Sequence, residues 1–190
     1  MEMKENREKM AALVRMLRRD INGAVVERME QLGIRYECNW GVSLHAVRRA
    51  ASLIAPDHAF ARFLYGQNLR ELLLSAFVIA DPCAVSADEL AFWGAGVKNS
   101  ELAENLAFSL LSHTSLARPL AEKWLAEDAP SLLRYSALLA LSRMRGSDGR
   151  LPDGVDGDAL AARFAGDGSV LVRKAAEALA EAGKESAPEL

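Results

Sequence analysis

The sequence predicts an all-α protein, an α-solenoid in which about five antiparallel helix pairs stack into a curved, right-handed superhelix. Apolar residues recur at helical spacing along the chain, and nothing alternates like a strand. A four-residue signature also recurs in steps of 25, 31, 30 and 39 residues. Its last two positions are mostly small, which suits helices that must approach closely. The copies are Arg48-Arg49-Ala50-Ala51, Leu73-Leu74-Ser75-Ala76, Glu104-Asn105-Leu106-Ala107, Arg134-Tyr135-Ser136-Ala137 and Arg173-Lys174-Ala175-Ala176.

The order of apolar runs and helix-breaking residues predicts the individual helices. Ser43 is expected to cap the third helix, and Pro56 to occupy the first turn of the fourth. Asn68 with Glu71, and Ser86 with Glu89, match the capping-box pattern, and each is expected to open a helix. The predicted helices span 4–19, 24–32, 43–54, 56–65, 68–80, a segment after 86, 99–112, 116–126, 130–144, 157–165 and 169–183.

Length and composition predict one domain over residues 1–190, with a frayed tail at 184–190. At 190 residues and 51% hydrophobic side chains, the chain can bury a sizeable core. The charged first residues and the short apolar run 72–80 favour a cytoplasmic protein with no membrane partner. Cys38 and Cys83 are far apart and lack CxxC spacing, so we expect buried free thiols rather than a disulfide or a zinc site.

Charge is distributed unevenly. The net charge is −3, yet the first 80 residues hold 12 Lys/Arg against 9 Asp/Glu, and the remainder holds 11 against 17. A nucleic-acid surface would therefore be local, although ordinary scatter of solvated charge explains this asymmetry equally well. The cluster Arg15, Arg18 and Arg19 has the same two interpretations, a DNA contact or a solvated helix face, and the second is the more common.

Sites for metals, cofactors or nucleophilic catalysis are not predicted. The loop 146–157 and its flank carry Asp148, Asp153, Asp156 and Asp158, but their spacing does not match a helix-loop-helix calcium site. Gly94-Ala95-Gly96 follows a helix and lacks a third glycine, so we interpret it as a helix-terminating turn. The three histidines are isolated in sequence, and no catalytic triad follows from the spacing.

The first residues of the five signatures are candidates for ligand contact, because they lie beside the helix-packing stripe rather than in it. Stacked helix pairs would align them in a column of three cations around one carboxylate, which suits a phosphate backbone. Bracing between neighbouring repeats is the alternative; we favour it for Arg173 and hold the two interpretations about equal for Arg134. The column is Arg48, Leu73, Glu104, Arg134 and Arg173.

Several segments together resemble the HEAT-like DNA alkylation repair glycosylases of the AlkD type, over roughly residues 10 to 183. They are Asn39-Trp40-Gly41-Val42-Ser43, the Arg48 helix, the segment from Asn68 to Pro82, and the block from Phe92-Trp93 to Glu104. Members of that family hold alkylated duplex DNA against a concave basic face. They excise positively charged alkylpurines without a deep base pocket. The resemblance therefore implies duplex DNA as a partner and no cofactor.

The resemblance also assigns roles to particular residues. The family's catalytic aspartate falls on Glu104 and its phosphate-contacting arginine on Arg134, so both positions keep their charge. The family's two active-site tryptophans fall on Ser100 and Ala178, so both aromatic faces are missing. Losing two cation–π faces removes about a hundredfold or more in rate. We therefore expect weak or absent excision of 3-methyladenine and 7-methylguanine.

Two hypotheses from different classes follow. The first is a DNA-binding protein with residual N-glycosylase activity, in which Glu104 stabilises the cationic sugar, Arg134 binds phosphate, and Arg48 and Arg173 add phosphate contacts. The second is a non-catalytic scaffold that binds nucleic acid or a protein on the same surface. Trp93 and Trp124 are expected to fill the core, whereas Trp40 lies in a connector from which it could reach a ligand.

Overall fold

The computed structural model describes residues 2–145 and 149–184. Over these ranges the chain forms eleven α-helices joined by short 3₁₀ turns and loops, and no strand, which confirms the all-α prediction. The helices are α1 Glu2–Leu17, α2 Gly23–Gln31, α3 Leu44–Ala51, α4 His58–Tyr65, α5 Arg70–Ile79, α6 Leu90–Ala95, α7 Ser100–Ser109, α8 Ala117–Lys123, α9 Ser131–Met144, α10 Gly157–Phe164 and α11 Val170–Lys184.

The five signatures fall on alternate helices, α3, α5, α7, α9 and α11. Both final residues of every signature are buried, as predicted for helix-packing positions, and all of them except Leu106 are small. Helix α3 packs on α5, and α9 packs on both α7 and α11. The hydroxyl of Ser136 donates to the carbonyl of Ala103 at 2.9 Å, which joins α9 directly to the backbone of α7. Small side chains thus allow the helices to approach closely.

The helices divide between two compact units, Met1–Ala84 with α1 to α5 and Val85–Leu190 with α6 to α11. Each unit has its own apolar core. Large fully buried side chains of the first unit include Leu13, Leu17, Phe60, Leu64, Leu74, Phe77 and Ile79, and those of the second include Leu90, Trp93, Leu102, Leu106 and Leu110.

Side-chain caps begin several helices. They confirm the predicted start of α3 and correct the predicted start of α4. Ser43 caps α3 as predicted, by accepting from the Ala46 N–H at 3.2 Å. Pro56 was wrongly assigned to the fourth helix: α4 begins at His58, because Asp57 accepts the Phe60 N–H at 2.9 Å.

Both predicted capping boxes are wrong. The residue before α5 is Leu69, which offers no side-chain acceptor, while Glu71 is fully buried. Ser86 precedes a 3₁₀ turn and makes no capping bond. A capping box is a local pattern, and at Glu71 a contact with a distant segment decides where the carboxylate lies.

The sequence also predicts the burial of the cysteines, the lack of a membrane span and a frayed C-terminal tail. Cys38 and Cys83 are exposed rather than buried, because they lie in a connector and a 3₁₀ turn at the surface. None of the helices that the structure describes is long and apolar enough to cross a membrane. Residues 185–190 of the predicted frayed tail lie outside the described residues.

Candidate functional site

Helices α7 and α9 place Glu104 beside Tyr135 in the second unit. The hydroxyl of Tyr135 donates to Oε1 of Glu104 at 2.7 Å. Burial and this carboxylate together raise the pKa of Tyr135 well above its usual value. The phenol therefore stays protonated at neutral pH and remains a donor, so one carboxylate oxygen of Glu104 is already engaged.

Asp167 organises the neighbouring arginines, and sequence reasoning missed it. Arg134 Nη1 donates to Asp167 Oδ2 at 2.6 Å, and the two side chains are 24% and 8% exposed. Arg173 Nη1 donates to the Asp167 carbonyl at 2.6 Å, and Asp167 Oδ1 accepts the Ser169 N–H at 2.8 Å. The only signal in the sequence is the turn pattern Gly166-Asp167-Gly168-Ser169, which predicts the local bond but not the distant arginine.

The structure thus brings three predicted site residues into neighbouring positions on α7, α9 and α11. Glu104 and Arg134 are connected through the adjacent Tyr135, and Arg134 and Arg173 through Asp167. The Arg173 contact lies within its own helix pair, because Asp167 is in the turn that precedes α11. Bracing between neighbouring repeats therefore stays a prediction for Arg173, whereas the bond from Arg134 joins α9 to that turn. Phosphate contact by these arginines stays a prediction.

The remaining predicted positions are Arg48, Ser100 and Ala178. Arg48 is exposed on α3, in the first unit. Ser100 is the first residue of α7, and Ala178 lies on α11; both are partly buried. Among the described residues, no three His, Cys, Asp or Glu side chains gather in a way that could hold a metal ion. Asp148 of the predicted acidic loop lies outside the described residues.

A second polar cluster, in the first unit, anchors the connector between α2 and α3. Arg70 and Glu71 are almost completely buried and joined at 3.0 Å between Nη1 and Oε1. The same Arg70 nitrogen donates to the Val42 carbonyl at 2.8 Å. Glu71 accepts the backbone N–H groups of Trp40 at 3.3 Å and Val42 at 3.2 Å. Burying two charges is tolerated here because each finds a charged partner and backbone hydrogen bonds.

The connector is also fixed on its other side. The Asn22 N–H donates to the Trp40 carbonyl at 2.9 Å. Gly41 adopts φ +67°, and a Cβ at this position would lie 2.0 Å from the Asn22 carbonyl oxygen. The Gly41 N–H donates to the Asn39 side chain at 2.8 Å. Only glycine fits this close approach, so the backbone on both sides of Trp40 is held in place.

These contacts present Trp40 at the surface among arginines. The Arg18 guanidinium lies 5.5 Å from the centroid of the Trp40 ring. Arg49 Nη2 lies 3.5 Å from Asp20 Oδ2, which brings α3 next to the turn that carries Arg18 and Arg19. We call this surface the Trp40 corner; it comprises the turn Arg18–Asp20, the Trp40 ring, and Arg48 and Arg49 in the last turn of α3.

Exposure distinguishes Trp40 from the other tryptophans. Trp93 and Trp124 are buried, as predicted for core-filling side chains, whereas Trp40 is partly exposed. All four arginines of the corner are exposed. Four of the 12 Lys/Arg residues among the first 80 residues therefore belong to this corner.

The fold is similar to that of a known structure. No protein-family model matches the chain, and neither does any curated protein. A solved structure from "a new family of proteins related to the HEAT-like repeat DNA glycosylases with affinity for branched DNA structures" aligns with it at a TM-score of 0.72 and 18% identity. The alignment covers 89% of this chain and 73% of the other. The chain has a HEAT-like repeat fold. The HEAT-like fold that the five signatures predict is therefore confirmed.

Proposed function

We propose that this HEAT-like protein binds DNA and contacts its phosphate backbone through the Trp40 corner. The observation that carries the proposal is the group of exposed arginines beside a partly exposed tryptophan, in the half of the chain with a positive excess. Phosphate contacts from arginine supply most sequence-independent affinity for DNA. The DNA affinity of the protein with the similar fold supports DNA as the ligand.

The residues of the second unit favour DNA binding without efficient catalysis. Glu104 keeps the negative charge that could stabilise a cationic sugar, but Tyr135 already occupies one of its oxygens. Arg134 is paired with Asp167. Ser100 and Ala178 supply no aromatic face for a cationic base. We therefore assign the chain a DNA-binding role, with excision of alkylated purines weak or absent.

The salt dependence of DNA binding tests the proposal. Arg19→Ala should reduce the slope of log affinity against log salt by about one, because it removes one phosphate contact. Arg49→Ala should reduce the slope by less, because Asp20 lies 3.5 Å from the Arg49 guanidinium and competes with phosphate. Affinity is measured by fluorescence anisotropy on a labelled duplex at several salt concentrations. Arg163→Ala on α10 is the matched control, since it removes an exposed positive charge from the second unit.

The control separates two ways in which the slope could change. If Arg163→Ala lowers the slope as much as the corner variants do, the effect is one of net charge and the assignment to the corner is wrong. DNA binding that does not depend on salt would contradict recognition through phosphates. A salt-insensitive complex with a protein instead would favour the scaffold hypothesis.

An excision assay tests the catalytic assignment. Purified protein incubated with alkylated duplex DNA should release 7-methylguanine and 3-methyladenine at or close to the background rate. The free bases are measured by chromatography. Glu104→Gln is the decisive variant: if release is well above background and this change lowers it by about a hundredfold, the protein is an active glycosylase and the non-catalytic assignment is wrong.

A further inference from the structure

We propose that Trp40 is a stacking platform for an unpaired nucleobase, so that the Trp40 corner selects DNA in which bases are exposed over fully paired duplex. This inference rests on the proposed function, because it assumes that the corner contacts DNA. It adds the class of DNA that the corner prefers.

The surroundings of the ring support base stacking. An indole that is partly exposed on a rigid connector leaves apolar aromatic surface in water, whereas Trp93 and Trp124 are buried. Proteins that bind single-stranded nucleic acid combine such aromatic surfaces with a positive groove that follows the backbone. The corner has both components, since exposed arginines lie on the turn beside the ring and on α3.

A base that stacks on Trp40 would displace the guanidinium of Arg18 from the ring. This guanidinium lies over the Trp40 ring at 5.5 Å from the centroid. An exposed cation–π contact is weaker than a base stacked on an aromatic ring, so exchange is favourable. The displaced guanidinium then lies beside the incoming nucleotide, where it can bind the phosphate.

The fixed backbone of Trp40 makes the platform preorganised. Its N–H donates to Glu71 and its carbonyl accepts from Asn22, and Gly41 is packed against the Asn22 carbonyl. Little backbone freedom is therefore lost when a base stacks. Bases inside a paired duplex have both faces covered by their neighbours, so stacking on Trp40 favours unpaired positions.

Two DNAs with equal numbers of phosphates test the inference. One is a three-way junction with unpaired thymines at the branch, and the other is a fully paired duplex. Wild type should bind the junction about ten- to a hundredfold more tightly, and only the junction should quench tryptophan fluorescence strongly. Trp40→Leu should bind both DNAs equally, whereas Trp40→Phe should retain part of the preference. Thermal melts check that each variant folds.

The outcomes distinguish this inference from the proposed function. If wild type binds neither DNA, both fail. If wild type binds both DNAs equally, or if Trp40→Leu keeps the full preference, the stacking platform is wrong while DNA binding through the arginines stands. Should Trp40→Leu fail to fold, fluorescence decides: the quenching must occur in wild type and be lost in Trp40→Phe, because Trp93 and Trp124 are buried.

Discussion

Replacing Glu71 with alanine should lower the free energy of unfolding by about 3 to 5 kcal/mol. The change leaves the buried guanidinium of Arg70 without its carboxylate partner and removes the acceptor of two backbone N–H groups, those of Trp40 and Val42. Denaturant unfolding followed by circular dichroism measures the loss. A loss below about 1 kcal/mol would show that the connector is held by other contacts.

A double-mutant cycle isolates the charge pair. Arg70→Met should also destabilise strongly, because it leaves a buried carboxylate. The double variant Arg70→Met/Glu71→Leu should recover part of the loss, because an apolar pair of similar size avoids the cost of burying charge. Recovery should be incomplete, since the Val42 carbonyl and two N–H groups then lack their partners.

This prediction separates stability from recognition. Glu71 accepts the backbone N–H of Trp40. A folded Glu71→Gln variant should therefore bind paired duplex as wild type does. Its preference for unpaired bases should weaken, because the platform is less well fixed.

The repeat architecture could be predicted because its signals are local. The signatures place small residues two and three positions after a residue at the edge of the packing stripe. All five copies lie on alternate helices with those residues buried. The cap at Ser43 was predictable for the same reason, since the acceptor and donor are three residues apart.

The sites could be predicted only in part, because their contacts join distant segments. Glu71 matches a capping box locally, yet it binds backbone groups 29 and 31 residues away. Asp167 lies in an ordinary turn, yet it pairs with Arg134, 33 residues earlier. No local pattern contains these pairings; they follow only when the helices are packed.

Changing Asp167 to asparagine should lower the free energy of unfolding by about 2 to 4 kcal/mol. Arg134 would lose its carboxylate while three-quarters of its side chain stays buried. Its Nε already lies buried without a hydrogen-bond partner among the described residues. The side-chain oxygen of asparagine can still accept the Ser169 N–H, and the main-chain carbonyl of residue 167 still accepts from Arg173. Denaturant unfolding of Asp167→Asn and Asp167→Ala therefore separates loss of charge from loss of the turn.

The same variant decides what Arg134 does in the presence of DNA. Asp167 is an internal anion that competes with phosphate for this guanidinium, so Arg134→Ala alone should change the salt slope by less than one. In the Asp167→Asn background the competitor is neutral, and Arg134→Ala should then reduce the slope by about one if the arginine reaches phosphate. An unchanged slope in that background, together with the loss of stability, would make Arg134 a brace between α9 and the turn that precedes α11. The phosphate contacts would then have to come from other residues, of which the arginines of the Trp40 corner are the first candidates.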